Sequence, residues 1–202
     1  MATVTEPFDV LAIGRSGVDL YPLQVWCRRD AFRAVYEAQR ELAALAGPRA
    51  TFQWIEAGRM EFCRGRAEVD PTPLTVRAET WLAIAGGARG IGYFPGHWAG
   101  AIAAEITRLN AEIAALAPAL LARELPATAS PGPVRVGARR LNGVTYVIAV
   151  NTSWRRTSAS LGAPQLRGRA RVFGERRTLR VRNGGIRDAF APLQAHVYVV
   201  EP

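Results

Sequence analysis

The chain has 202 residues, a mean hydropathy of +0.01 and a formal charge of +9, with all 26 basic residues being arginine. This length suits one large domain or two small ones with a substantial core, and no apolar run approaches the length of a membrane span. Such a charge usually points to an acidic partner such as nucleic acid, but outside the tail between Arg155 and Arg187 the arginines are spread out, and no single interleaved basic–aromatic patch occurs. Exclusive arginine usage reads as codon bias in a GC-rich genome, and the arginines between Arg155 and Arg187 read as a solvated strand face.

Met1 to Gln24 carries Glu6, Asp9 and Asp19 and lacks a long apolar core. No secretion signal is read there, so a reduced, cytoplasmic chain is expected. Val10-Leu11-Ala12-Ile13 predicts a buried strand, followed by Gly14, Gly17 and Val18-Asp19-Leu20. Gly14-Arg15-Ser16-Gly17 lacks the Lys-Ser/Thr of a phosphate loop. Residues 8–24 resemble the opening strand of ribokinase-like sugar kinases, especially the 5-dehydro-2-deoxygluconokinase type. That resemblance implies a sugar-hydroxyl contact for Asp19; a plain turn residue is the alternative. After Gln24 the Gly-Gly and Gly-Ala-Gly-Asp motifs of that family do not follow. Cys27 and Cys63 lie far apart and neither CxxC nor HExxH occurs, so neither a metal nor a cofactor is expected.

Asp30 is a candidate cap for a helix carrying Phe32, Val35, Tyr36, Gln39, Leu42, Ala43 and Ala46 on one face, stopped by Gly47-Pro48. From Thr51 to Glu56 the residues alternate as a strand requires, leaving one acid where the chain turns at Ala57-Gly58. Thr72 caps the next helix with Pro73 at its first position. Leu74, Ala78, Trp81, Ala85 and Ala88 mark one face, and Gly86, Gly87 and Gly90 end it. Gly90 to Phe94 predicts a short buried strand, which makes a βαβ unit and a parallel pair. Trp54 and Trp81 are both expected in the core. Ile102, Ile106, Leu109, Ile113, Leu116 and Leu120 then predict an amphipathic helix, bent or ended by Pro118, with Glu105, Arg108 and Glu112 outward.

Thr128 to Pro133 reads as a linker, after which the period changes to two. Val134 to Val136 and Val144 to Val150 flank Leu141-Asn142-Gly143, a hairpin signal. Further strands are expected at Thr157 to Leu161, Arg169 to Phe173, Thr178 to Arg182 and His196 to Val200, with a turn at Asn183-Gly184-Gly185. This pattern implies a small β-sandwich. Asn151-Thr152-Ser153 matches a glycosylation sequon but reads as a turn.

The string WIEAG followed by PTPLTVRAETWLAIAGGARGIGYFPGHW resembles the last part of the (β/α) barrel of certain glycoside hydrolases. The resemblance implies a partial barrel followed by a β-sandwich, with carbohydrate as the partner. It makes Glu56 the nucleophile and Tyr93, His97 and Trp98 the residues that meet sugar. An ion pair of Glu56 with Arg59 or Arg77 is the alternative, and His97 is either a base or a hydrogen-bonded loop residue. Glycoside hydrolysis needs two carboxyl groups, and Glu61 and Asp70 on the following loop are the acids read as possible partners. The expected organisation is a kinase-like segment at 1–24, a partial barrel at 25–127, a linker at 128–133 and a sandwich at 134–202. Three readings stay open: a glycoside-hydrolase-like chain incomplete for catalysis by itself, a non-catalytic carbohydrate-binding or structural remnant, and a sugar-kinase fragment. An open sheet also predicts self-association through its edges.

Overall fold

The computed structural model describes residues 31–59, 70–94, 97–98, 100–130 and 132–201. The kinase-like segment at 8–24, Cys27, Asp30, Glu61 and Cys63 lie outside them.

The first half alternates helix and strand: α1 (Phe32–Ala46), β1 (Phe52–Glu56), α2 (Pro73–Gly86), β2 (Gly90–Phe94) and α3 (Gly100–Leu120). Ala31 holds the N-cap position of α1 without a side-chain bond. In α2, Thr72 and Thr75 form a reciprocal capping box with Pro73 in the first turn, which satisfies donors left over at a helix start. Gly87 ends α2 in the left-handed region at φ 111°, a conformation that a Cβ disfavours. Strands β1 and β2 pair in parallel with Phe52 opposite Gly90 and Glu56 opposite Phe94. The residues of α2 are buried almost all round, because α1, α3, β1 and three strands of the second half touch it.

Among the described residues the second half is antiparallel. It comprises β3 (Arg123–Leu125), β4 (Thr128–Ala129), β5 (Val134–Leu141), β6 (Val144–Asn151), β7 (Thr157–Gly162), β8 (Arg169–Val172), β9 (Thr178–Arg180), β10 (Gly185–Phe190) and β11 (Ala195–Val200). Six strands form one sheet in the order β3-β5-β6-β11-β8-β9, and three form another in the order β10-β7-β4. Asn142 and Gly143 both have positive φ, as the tight turn between β5 and β6 requires. The sequence pattern missed β3, β4 and β10; Thr128–Ala129, read as linker, pair with β7. Asn151 is buried and anchors a turn, its Oδ1 accepting from the Ser153 N–H and its Nδ2 donating to the carbonyls of Arg155 and Ala191.

Two apolar clusters meet at the six-stranded sheet. Val147, Ala149, Tyr198 and Val200 face the three-stranded sheet, packing with Leu161, Ile186 and Phe190. Ile148, Val150 and Val197 face the other way and join Trp81, Leu82, Leu109 and Ile55 in a core shared with the helices. Strands β6 and β11 are thus covered on both faces, which is why they read as continuous apolar runs. At Gly137 in β5, a Cβ would stand 2.3 Å from the Ala85 carbonyl oxygen, so α2 lies directly on the strand backbone. Arg139, two residues on, is buried and donates to the terminal carbonyls of α2 and α3 at Ile84 and Leu120 while pairing with Glu124. A cation suits helix C-termini, where unpaired carbonyls collect negative charge.

No closed barrel is formed by the described residues: the parallel sheet has two strands. Glu105, expected outward, is buried at 5% exposure, because Arg77 of α2 and Arg108 both bond its carboxylate. Arg77 also forms a two-pronged pair with Glu112, so the outward acids of α3 tie it to α2.

Candidate functional site

Period two puts Phe52, Trp54 and Glu56 on one face of β1, and Gln53 and Ile55 on the other. Ile55 packs into the helical core. Among the described residues no helix covers the opposite face: Trp54 is 43% exposed and Phe94 40% exposed. Trp54, expected in the core, is therefore on an open face, whereas Trp81 is buried at 2%. Alternation alone does not tell which face of a strand another element will cover.

Glycines on β2 build this face. A Cβ on Gly90 would meet the Phe52 ring at 2.9 Å, and one on Gly92 would meet the Trp54 ring at 2.5 Å. The two rings lie across β2 instead, edge to face with each other at 5.1 Å, and Trp54 meets Phe94 edge-on at 6.1 Å. The result is an aromatic ladder, Phe52-Trp54-Phe94, that runs toward Glu56 at the C-terminal end of β1.

Glu56 is buried. Of the two suggested arginines, Arg59 pairs with Asp70, and Arg77 with Glu105 and Glu112. The carboxyl group brought to it is that of Glu79 on α2, whose Oε2 accepts the Glu56 backbone N–H at 3.0 Å. Although Glu79 keeps some exposed surface, burial, and then the charge of Glu56, push its carboxyl well above the ordinary glutamate range; the backbone N–H opposes them. Sequence reasoning looked for a second acid on the loop and passed over the Glu of Arg-Ala-Glu-x-Trp, one helical turn before Ala83. The signal was present: Glu79 lies among Ala78, Thr80 and Trp81 on a helix with few polar positions.

Tyr93 lies opposite Ile55 in the register, on the helix-facing side of β2, and its hydroxyl reaches Asn110 on α3 at 3.4 Å. Burial raises its phenol above the usual range. Trp98 is 38% exposed and meets the Tyr93 ring edge-on at 6.2 Å, and His97 beside it is exposed. Phe94, rather than Tyr93, shares the face of Glu56. No group of His, Cys, Asp and Glu among the described residues is arranged to hold a metal ion.

A second polar cluster closes one end of the antiparallel sheets. Arg177 Nη1 donates to both oxygens of Asp188, at 2.6 and 2.8 Å, and the Tyr198 hydroxyl donates to Oδ2 at 2.7 Å. His196 Nδ1 stands 2.6 Å from Glu175 Oε1. Burial pushes the Asp188 carboxyl up, but hydrogen bonds from Arg177, Tyr198 and the Ala189 N–H outweigh it and hold the group below the usual aspartate range. Burial and Asp188 drive the Tyr198 phenol far upward. Its members satisfy one another, so the cluster is a weld rather than a reaction centre.

No family model matches this chain, and no curated protein matches its sequence. Solved structures do resemble it. An Anoxybacillus alpha-amylase superposes with a TM-score of 0.59 at 14% identity, covering 83% of this chain and 42% of that one. The alpha-amylase of Geobacillus thermoleovorans, solved in complex with acarbose, gives 0.59 at 14% identity over 84% and 42%. An alpha-galactosidase assigned in Bacteroides fragilis gives 0.59 at 15% identity over 88% and 40%. These neighbours lend no support to the kinase resemblance of residues 8–24. The chain spans about two fifths of their length, and what it shares with them is a glycoside-hydrolase-like fold.

Proposed function

We propose that this chain handles carbohydrate as part of a glycoside-hydrolase-like protein, using the open face of β1 and β2. In this reading residues 25–127 are the last units of a partial (β/α) barrel and residues 134–202 a β-sandwich packed on it. The observation that carries the proposal is the aromatic ladder Phe52-Trp54-Phe94 that leads to Glu56. Sugar rings present C–H faces that pack on aromatic rings, and a mostly apolar surface with few polar groups is how small-molecule sites are built. His97 and Trp98 stand beyond the end of β2 as further contacts, and Tyr93 supports Trp98 from behind.

Glu56 is the residue placed to attack or stabilise an anomeric carbon, the role its family resemblance implies. Glu79 serves it less well as the second carboxyl group of hydrolysis. It reaches the Glu56 N–H, and a backbone N–H of a strand points along the sheet rather than out of its face. The carboxyl group of Glu79 is therefore not presented to a leaving group seated on the ladder. General acid catalysis typically contributes about a hundred- to ten-thousand-fold, so this chain alone binds sugar and does not turn it over efficiently. The test is titration with neutral mono- and oligosaccharides, followed by tryptophan fluorescence and calorimetry, together with an aryl-glycoside panel. Weak binding lost in Trp54→Ala and no turnover are expected. Clear turnover abolished by Glu56→Gln would show a complete catalytic pair, and no saccharide binding at all would sink the reading.

A further inference from the structure

The chain's charge is concentrated in its last third. Residues 155–188 hold ten of the 26 basic residues and two of the 17 acids. Those two acids, Glu175 and Asp188, are taken up by Arg177 and His196. The remaining arginines of the strands keep their charge facing solvent.

Three of them converge. Strand β9 is the edge of the six-stranded sheet and β10 the edge of the three-stranded one, and the turn between them is pinned by a bridge between Arg182 and Gly185. Arg180, Arg182 and Arg187 line a cleft of about 750 Å³ at this margin, together with Ser160 and Asn183. On the adjoining strand Arg169 stands directly opposite Arg180, and both are exposed. Like charges opposite each other destabilise a strand pair, and among the described residues no ion pair neutralises this one. An anion lying along the β8–β9 edge would.

We propose that this cleft binds an acidic polysaccharide, its carboxylate or sulfate groups held by Arg180, Arg182 and Arg187. The planar guanidinium donates two parallel N–H bonds to a planar carboxylate or to two oxygens of a sulfate, a match that lysine lacks. Ser160 and Asn183 supply hydrogen-bond partners for the hydroxyls between the charged groups. Among the described residues no Trp, Tyr or Phe lines the cleft, so they offer no stacking platform of the kind on which single-stranded nucleic acid is bound. Preferring a polysaccharide to other polyanions rests on the carbohydrate reading above, but the cleft shares no residue with the Glu56 face.

The experiment uses the full chain with polygalacturonate as the carboxylate probe and heparin as the sulfate probe. Amylose is the neutral control, and single- and double-stranded DNA are the competing polyanions, all measured by calorimetry at two salt concentrations. At least one acidic chain is expected to bind, with affinity falling as salt rises. The triple variant Arg180→Ser, Arg182→Ser, Arg187→Ser should weaken it at least tenfold and lower the slope of log K against log salt by about 2–3. The matching triple Lys variant, which keeps the charge but not the fork, should fall between them with an unchanged melting curve. Unchanged affinity in the Ser variant, tighter binding of DNA than of either acidic chain, or no binding of any polyanion would each overturn the proposal. Binding of amylose alone would overturn it while leaving the aromatic-face reading standing. Loss of acidic binding in the Ser variant but not in Trp54→Ala would support it even if that other reading failed.

Discussion

Strands β1 and β6 are both rich in apolar residues, yet they sit in opposite surroundings. β6 is covered on one face by α2 and on the other by the three-stranded sheet. In β1 only one face is covered by the helices, through Gln53 and Ile55, and the other shows Trp54 to solvent. Burial on two faces makes a strand a core element, whereas aromatic side chains left on one open face are free to meet a ligand. The glycines mark the same contrast. Gly137 is small because a helix backbone lies on it, and Gly92 because an exposed aromatic ring does.

The strongest way to break this contrast is Gly137→Ala. Its new methyl would collide with the main chain of α2, which has no side chain to move aside, and about 3 kcal/mol of stability should be lost. Urea melts measure it; a loss below about 1 kcal/mol, the range for sites that repack, would mean that α2 is not seated on β5 as described.

Next in size is Asp188→Asn, which removes the charge that Arg177 and Tyr198 surround. About 2 kcal/mol is expected, less than for a fully buried pair because a third of the Arg177 side chain remains in water. Its pH signature is specific. Asp188 is held below its unfolded value of about 3.9, so its contribution is complete above that pH and disappears as pH falls through the depressed folded value. Acid melts of Asp188→Asn should lack that loss, and a variant as acid-sensitive as the parent would count against the cluster.

Glu79 predicts the opposite slope. Its folded value lies above the unfolded value of about 4.3, so its contribution is complete below that pH and is lost as pH rises through the raised folded value. Glu79→Gln should flatten the decline in stability that sets in above about pH 4.3. The slope should persist in Trp54→Ala, which leaves both carboxyl groups in place. A slope unaltered by Glu79→Gln would place the proton elsewhere.

The smallest effect on stability belongs to Gly92→Ala. Here the methyl meets the end of the Trp54 ring, which can swing outward into solvent, so the loss should stay within about 1 kcal/mol. Sugar binding should nevertheless drop by up to about tenfold, the scale of one well-placed aromatic contact. Equal binding by Gly92→Ala and the parent would separate the ladder from ligand recognition.

Local rules in the sequence determined much of this protein. The Thr72-Pro73 start of α2, the Gly87 stop, the Asn142-Gly143 turn and the stripe from Ile102 to Leu120 depend on residues within a few positions of one another, and each forms as expected. Alternation likewise grouped Trp54 with Glu56 and separated both from Ile55. What it left open was which groups would be covered, since the covering element comes from a distant part of the chain. Only the folded structure put Glu79 on the Glu56 N–H, drew Glu105 inward between Arg77 and Arg108, and paired Thr128–Ala129 with β7. The same holds for the Arg177–Asp188 weld, whose members stand eleven residues apart in sequence and meet only when two sheets pack. A periodicity states which side chains share a direction; the free energy that decides whether that direction ends in core or in water belongs to contacts made across the fold.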